Sequence, residues 1–206
     1  MKLYYAPGAC SLAPHIVARE IGRPIELALV QFPDKRTTDG EDLYAVNPKG
    51  AVPALKLDDG EVLTENAVIL QYLADRSEGS ELAIPASGIE RYRLLEWLNF
   101  VATELHKGFG PLWNPATPDA FKDATREALG KKFDYLQERI GEGPYILGDR
   151  FSIVDAYAFA VLGWTRIHQI DIARWPGLAA YLGRIAERPA VRETLRAEGL
   201  LAAEPA

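Results

Sequence analysis

The most informative segment of the sequence begins with Gly50-Ala51-Val52-Pro53-Ala54-Leu55 and continues to Thr64-Glu65-Asn66-Ala67. Pro53 lacks a backbone N–H, so it suits the first residue of a strand rather than its middle. If the Val52–Pro53 bond is cis, the amide and carbonyl of Val52 turn outward and can pair with an incoming peptide backbone. We therefore expect this segment to bind a peptide-shaped ligand.

A hairpin and a helix complete the segment. Asp59-Gly60 predicts a turn between strands at 54–57 and 62–64, and residues 65–73 have the pattern of a helix. Free amides at the start of that helix attract a carboxylate, and Glu65 beside them can accept an ammonium. The two ends of an amino-acid moiety would then be held close together.

The chain changes character near residue 77. Residues 1 to about 76 predict the order β-α-β-α-β-β-α, in which the first connection is a right-handed crossover between parallel strands. The polar, turn-rich residues 77–88 are interpreted as a linker, and the pattern beyond them is helical. The sequence predicts an α/β half followed by an all-α half.

Composition excludes several classes of protein. The chain has 206 residues, 48% of them hydrophobic, which is enough for a sizeable core. Its net charge of -6 argues against a nucleic-acid partner. No apolar leader and no run of about 20 apolar residues is present, so we expect a cytoplasmic protein without a membrane span. The single cysteine, Cys10, fits a reducing compartment.

The first long helix of the second half carries two rows of side chains. The apolar row, which predicts a buried stripe, comprises Leu94, Leu98, Val101 and Leu105. The polar row takes the same steps and comprises Asn99, Thr103 and His106. At about 100° per residue the polar row lies well over a right angle from the apolar one. We therefore expect it to face a cleft or a partner.

A capping motif precedes a later helix. Ser152-Ile153-Val154-Asp155 has the spacing of a capping box, with Asp in place of the usual Glu. The apolar residues 156–159 follow it directly. We interpret the motif as structural, marking the start of a buried helix.

Cys10 lies between the loop that leaves the first predicted strand and the start of the first predicted helix. A thiol there feels the helix dipole, which favours the thiolate and lowers its pKa. A lone cysteine is more often a small buried hydrophobic residue, but this setting favours a reactive thiol. Ala13 stands where a resolving cysteine would be, so any disulfide that Cys10 forms is with another molecule.

The three histidines, His15, His106 and His168, show no metal-ligand spacing, so no metal site is expected. His15 and His168 are expected to be capping or solvated residues. His106 belongs to the polar row and precedes Lys107, and near Cys10 this pair would stabilise a thiolate. The alternative for His106 is a surface histidine on a polar helix face.

Other polar side chains lie near these features. Tyr5 and Ser11 carry hydroxyls that flank Cys10 and could bind or activate a thiol, although Tyr5 also ends a strand and could simply pack. Lys35 and Lys49 lie on loops near the proposed peptide site, where they could meet a carboxylate. Loop lysines are, however, usually only solvated.

Four segments together resemble the glutathione S-transferases, in particular the bacterial beta class: residues 1–12 (MKLYYAPGACSL), 47–55 (NPKGAVPAL), 63–73 (LTENAVILQYL) and 148–155 (GDRFSIVD). The resemblance covers essentially the full chain. It implies a thioredoxin-like domain at 1–77 and an all-helical domain at 87–206 that forms the hydrophobic substrate site. It also implies a homodimer, with glutathione as co-substrate in the cleft between the domains and no metal.

Site residues follow by position. Cys10 matches the active-site cysteine of the class, which can form a mixed disulfide with glutathione. Val52, before the cis-proline of the family, matches the residue that pairs with the cysteinyl backbone. Glu65 and Asn66 match the pair that holds the γ-glutamyl group, where the family often has serine at the second position, and Lys35 matches a residue near the glycyl end. Helical-domain positions that complete the site, some from the neighbouring subunit, match Asn99, Thr103, Glu104, His106 and Lys107.

The resemblance implies transfer of the glutathione thiolate to a hydrophobic electrophile, as in detoxification. Candidates for the apolar wall that holds the electrophile are Phe109, Leu112, Trp113 and Trp164, although such residues on helices are usually core. Two alternatives stay open. One is a glutathione-dependent thiol-disulfide oxidoreductase or reductive enzyme that uses Cys10, and the other is a non-catalytic carrier of hydrophobic ligands.

Overall fold

The computed structural model describes residues 1–32, 34–77, 80–141 and 143–202. These residues form two compact units. Met1–Ile84 and the described part of Glu187–Ala206 make up the first unit, and Pro85–Ala186 makes up the second. The predicted boundaries, 1–77 and 87–206, differ from these units because the last stretch of chain packs with the first one. Glu78 and Gly79, within the predicted linker, lie outside the described residues.

The first unit alternates strands and helices as predicted. In chain order its first stretch contains β1 (Lys2–Tyr5), α1 (Leu12–Glu20), β2 (Glu26–Gln31), β3 (Arg36–Thr37), α2 (Leu43–Val46), β4 (Ala54–Lys56), β5 (Val62–Thr64) and α3 (Asn66–Ala74). The sequence did not predict β3, because two residues are too few to show a period-two pattern. Gly22, with φ of 65°, follows the end of α1 as predicted.

The five strands form one sheet in the order β3-β2-β1-β4-β5. β1 and β2 are parallel, as predicted, and the other pairs are antiparallel. Leu3 pairs with Leu55 and Tyr4 with Ala54, so neighbouring positions face opposite sides of the sheet. All four side chains are buried, and the central strands therefore have core on both faces.

The second unit is helical among its described residues. In chain order it contains α4 (Ile89–Phe100), a π-helical segment (Val101–His106), a 3-10 turn (Lys107–Phe109), α5 (Gly110–Trp113), α6 (Asp119–Ile140), α7 (Ile153–Leu162), two further 3-10 turns (Gly163–Thr165 and Ile172–Arg174) and α8 (Pro176–Ala186). The predicted apolar stripe is buried at all four positions. Nowhere in the described ranges is a helix both long and apolar enough to cross a membrane.

The π-helical segment divides the predicted polar row. Asn99 and Thr103 are exposed, and the Thr103 hydroxyl donates to the Asn99 carbonyl at 3.0 Å. His106 is half-buried and bonds instead to the buried Tyr157. The π-helix has more residues per turn than an α-helix, so its residues advance by a smaller angle than the 100° assumed from the sequence. The predicted polar row is thus exposed at Asn99 and Thr103 and half-buried at His106.

The predicted capping box at the start of α7 is confirmed. Asp155 is fully buried, and it accepts hydrogen bonds from the backbone amides of Ile146 and Ser152. The hydroxyls of Ser152 and Tyr181 donate to the same carboxylate. Asp155 thus joins the residues before α7 to α8.

The chain returns to the first unit at its end. Helix α9 (Pro189–Ala197) packs against α1. Arg188, just before α9, donates through two nitrogens to both carboxylate oxygens of Glu20, at 2.7 and 3.0 Å. A bidentate pair of this kind fixes the relative orientation of the guanidinium and the carboxylate as well as their distance. The last described residues are therefore an integral part of the first unit.

Candidate active site around Cys10

Cys10 occupies the loop between β1 and α1, as predicted, and it is 7% exposed. Its Sγ donates to the carbonyl oxygen of Val52 at 3.4 Å. The Val52–Pro53 peptide bond is cis, which is the condition on which the predicted peptide site rested. The thiol and the entrance to β4 are thus neighbours in the first unit.

The start of α3 lies against the same loop. Asn66 is 5% exposed, and its Nδ2 donates to the Cys10 carbonyl at 3.1 Å. Glu65 is exposed, has a φ of 70°, and pairs with Lys49 at 2.5 Å. Cys10, Val52, Glu65 and Asn66 were predicted as one site, and the structure brings them together in the first unit.

Lys35 is tied to the same region through the loop that precedes β4. Its Nζ donates to the Gly50 carbonyl at 3.0 Å and lies 3.7 Å from the centre of the Phe32 ring. Partial burial lowers the pKa of Lys35. The ammonium is therefore held in one place and is less hydrated than that of an ordinary loop lysine.

The two hydroxyls that flank Cys10 are buried. Ser11 Oγ accepts from the Ala6 amide at 3.1 Å and donates to the Ala6 carbonyl at 3.2 Å. Burial, and secondarily the charge of Glu198, raise the pKa of Tyr5. Ser11 thus closes the β1–α1 loop through Ala6. This geometry gives no support to the thiol-activating role that was predicted for Ser11.

The sequence did not single out Glu198, although this residue supports the loop that carries Cys10. Its buried carboxylate accepts from the Gly8 amide at 3.0 Å and from His15 Nδ1 at 2.9 Å. Arg19 Nε in turn donates to His15 Nε2 at 3.3 Å. The prediction that His15 is capping or solvated is wrong, since its ring is buried in this network. No local sequence pattern links residues 183 positions apart.

The predicted polar residues of the second unit have separate surroundings. His106 Nδ1 lies 2.7 Å from the Tyr157 hydroxyl, and its ring packs edge-on against Trp164. Glu104 pairs with Lys132. Thr103, Glu104 and Lys107 line part of a groove of about 390 Å³. The catalytic partnership predicted between His106 and Cys10 stays a prediction.

Three of the four residues predicted as an apolar wall are core residues. Phe109 is fully buried and packs against Phe133 and Trp164, and Leu112 and Trp164 are also buried. Trp113 is 47% exposed, and its ring contacts that of Trp164 edge-on. A ligand can therefore reach Trp113 more readily than the other three.

His168 is buried beside Trp113, so the prediction of a capping or solvated residue is wrong here as well. Its Nε2 has no hydrogen-bond partner within the described part of the chain. Burial, and secondarily the charge of Arg126, lower the pKa of His168. The His168 imidazole is therefore harder to protonate in the folded protein than in the unfolded chain.

This shift gives stability a dependence on pH. A histidine whose pKa is lower in the folded state supports stability above its unfolded pKa of about 6.5 and loses that support as pH falls through the folded pKa. When the pH is lowered from 7.5 to 5.5, we expect the free energy of unfolding to decrease less in His168→Gln than in the wild type. Urea unfolding at the two pH values measures this difference. The same loss in both proteins would contradict this assignment.

Comparison with known proteins agrees with the geometry. The glutathione S-transferase N-terminal domain matches residues 8–76, and the C-terminal domain matches residues 100–189. Glutathione S-transferase GstA of Escherichia coli O157:H7 is 50% identical over 200 residues, covering 97% of this chain and all of the relative. In the described ranges, no group of three or more His, Cys, Asp or Glu side chains is placed to hold a metal ion.

Two solved structures are similar over nearly the whole chain. A sphingomonad glutathione S-transferase complexed with glutathione is 47% identical, with a TM-score of 0.93, and covers 98% of this chain and 100% of its own. The beta class glutathione S-transferase of Sphingomonas chungbukensis is 44% identical, with a TM-score of 0.94 and the same coverage.

Proposed function

The chain belongs to the glutathione S-transferase family and is a glutathione transferase, and we propose that its first unit binds glutathione beside Cys10 and activates the glutathione thiol there. The observation that carries this proposal is the position of Cys10. Its sulfur lies at the Val52 carbonyl, and its peptide lies at the start of α3. A peptide-shaped thiol that uses both features would have its own sulfur near Cys10.

In this proposal each charged end of glutathione is bound by a group of complementary charge. The carboxylate of the γ-glutamyl group binds the amides at the start of α3. The ammonium of the same group binds Glu65, whose carboxylate pairs with Lys49 in the structure. The cysteinyl backbone pairs with Val52 next to Pro53. Lys35, held by the Gly50 carbonyl, receives the glycyl carboxylate.

The second unit supplies the remaining groups. We assign activation of the thiol jointly to Cys10 and His106, whose imidazole is oriented by Tyr157. The exposed residues Asn99 and Thr103 can contact glutathione bound by a second copy of the chain. Ile89 and Tyr92 on α4 are also exposed and offer that copy an apolar surface, so we propose a homodimer. We propose a cytoplasmic location separately, as expected from the sequence.

The test is conjugation of glutathione to chlorodinitrobenzene. In this reaction the thiol proton leaves, sulfur bonds to the ring carbon, and chloride departs with its electron pair. We expect the wild type to exceed a protein-free blank and Cys10→Ala to be slower, while Asp119→Ala, an exposed change at the start of α6, stays at the wild-type rate. A wild-type rate equal to the blank would overturn the proposed activity towards aryl halides.

A second activity is favoured by Cys10 being at the start of a helix in a thioredoxin-like unit. The Cys10 thiolate would attack one sulfur of oxidised glutathione, form a mixed disulfide and release one glutathione thiolate. Intact mass measured after exposure to oxidised glutathione should show one adduct that Cys10→Ala lacks. An unmodified wild-type mass would remove this second activity.

Trp113 is the preferred residue for testing the electrophile site, because truncating the buried Trp164 would also damage the core. We expect Trp113→Ala to raise the KM for chlorodinitrobenzene roughly tenfold, as expected for a lost aromatic contact, and to leave the KM for glutathione unchanged. Ile167→Ala, another exposed apolar residue, is the control. Equal increases in both KM values would contradict a role in electrophile binding.

A further inference from the structure

His168 carries a buried nitrogen whose hydrogen-bonding capacity is unused. The residue is only 9% exposed, and its Nε2 has no hydrogen-bond partner among the residues that the structure describes. A buried polar nitrogen without a partner lowers stability, and an apolar side chain would fill the same place without that cost. A bound molecule that forms a hydrogen bond with this nitrogen would recover the lost interaction.

Two aromatic rings contact the imidazole of His168. Phe109 lies with its ring centre 5.7 Å away and is fully buried. Trp113, the last residue of α5, packs edge-on at 4.3 Å and is 47% exposed. A half-exposed side chain can turn aside with little loss of packing, whereas a fully buried one cannot. A ligand that binds against Trp113 can therefore reach the imidazole.

The surroundings of His168 favour its neutral form. Burial, and secondarily the charge of Arg126, hold the pKa of His168 below the usual value of about 6.5. The same Arg126 donates through Nε to the His168 carbonyl at 3.2 Å, which keeps its charge nearby. At pH 7.5 the imidazole thus has one N–H and one lone pair. Its Nε2 either donates or accepts, according to the tautomer.

The chemistry of thiolate attack selects the donor. An aryl halide reacts with a thiolate when a group such as nitro withdraws electrons from its ring. As the C–S bond forms, a π electron pair moves onto the nitro oxygens, and it returns to the ring when chloride leaves with its own pair. These oxygens are acceptors and gain charge in the transition state, so a fixed N–H beside them binds more strongly there.

We propose that His168 recognises the activating group of the electrophile: its Nε2 carries the proton and donates a hydrogen bond to a nitro or carbonyl oxygen of a substrate bound against Trp113. The binding of the electrophile at Trp113 rests on the proposed function. The substrates favoured by His168 are therefore aromatic and conjugated electrophiles whose activating group bears an acceptor oxygen. Alkyl and benzyl halides lack this group and gain nothing from His168.

Nitrogen NMR at pH 7.5 tests the donor without glutathione. The sequence has three histidines, so a spectrum of histidine-labelled protein is simple, and the His168→Leu spectrum identifies the signals of His168. We expect the chemical shift of a protonated Nε2, and a change in that shift when unreactive meta-dinitrobenzene is added. Meta-xylene, of similar shape but without an acceptor oxygen, should change it much less. An unprotonated Nε2, or equal changes with both compounds, would overturn the proposal.

Kinetics test the preference for the substrate. The readout is kcat/KM for chlorodinitrobenzene divided by kcat/KM for benzyl chloride, which has no acceptor oxygen. We expect His168→Leu to lower this ratio about tenfold, as expected when a hydrogen bond to a charged group is lost. His168→Gln keeps a neutral N–H donor, so its ratio should lie within about threefold of the wild type.

The control is Ile167→Ala, an exposed change beside His168 that should keep the wild-type ratio. An unchanged ratio in folded His168→Leu, or an equal fall in Ile167→Ala, would overturn the assignment. A wild type that conjugates neither electrophile would instead refute the proposed function. The NMR result would still decide whether Nε2 is a donor that meets an acceptor oxygen.

Discussion

Asp155→Ala is expected to lower the free energy of unfolding by about 3–5 kcal/mol, because it leaves four donors without their buried acceptor. The lost side chain also leaves a cavity where Asp155 was fully buried. For a chain of this length the change corresponds to a fall in Tm of roughly 10 °C. Urea unfolding measures the difference directly.

Two further variants show whether the buried network is the cause. Asp155→Asn keeps the shape of the side chain, but it turns an NH₂ group towards groups that are themselves donors. Its free energy of unfolding should therefore lie between those of the wild type and Asp155→Ala. Asp171→Ala removes an exposed aspartate that caps a 3-10 turn through the Ala173 amide, and it should cost at most about 1 kcal/mol. If Asp171→Ala proved as damaging as Asp155→Ala, burial would not explain the effect.

Glu198→Ala is expected to reduce both stability and catalysis. It removes the buried carboxylate that accepts from the Gly8 amide and from His15 Nδ1, for a loss of about 2–4 kcal/mol in the free energy of unfolding. Gly8 belongs to the loop that carries Cys10, so the loop should also lose its fixed position. We therefore expect kcat/KM for glutathione conjugation to fall about tenfold at a temperature where the variant remains folded.

Glu193→Ala is the matched control for this effect. Glu193 lies on α9 and contacts Arg19 at 3.4 Å, but the pair is exposed and should contribute well under 1 kcal/mol. Its kcat/KM should equal that of the wild type. A tenfold fall in Glu193→Ala as well would show that disturbance of α9, rather than the Gly8 contact, lowers the activity.

Much of the first unit could be predicted from the sequence because its signals are local. Pro53 marks the start of a strand, Asp59-Gly60 marks a hairpin, and Gly22 marks the end of a helix. Each acts through the backbone of its own neighbours, so a single sequence is enough. Cys10 was singled out for the same reason, since it lies just before a helix, whereas Asn66 was proposed from the family resemblance.

The sequence is a poor guide where distant parts of the chain meet or where a helix departs from the regular period. His15 is buried by Glu198, and no pattern near either residue records that contact. Phe109 was placed on a ligand-facing wall, although Phe133 and Trp164 enclose it. His106 ends a π-helical segment, whose wider turn the 3.6-residue period does not anticipate. Tertiary contacts decide the positions of His15 and Phe109, and local helix geometry affects that of His106.

The return of the chain to the first unit has a consequence for protein engineering. A gene cut after residue 84 encodes the five strands but omits α9 and Glu198, the residues that cover α1 and hold the Gly8 amide. In chain order the second unit is thus an insertion. A minimal version of the first unit would be made as a fusion that joins Ile84 to Glu187, or rebuilt from two separately expressed fragments.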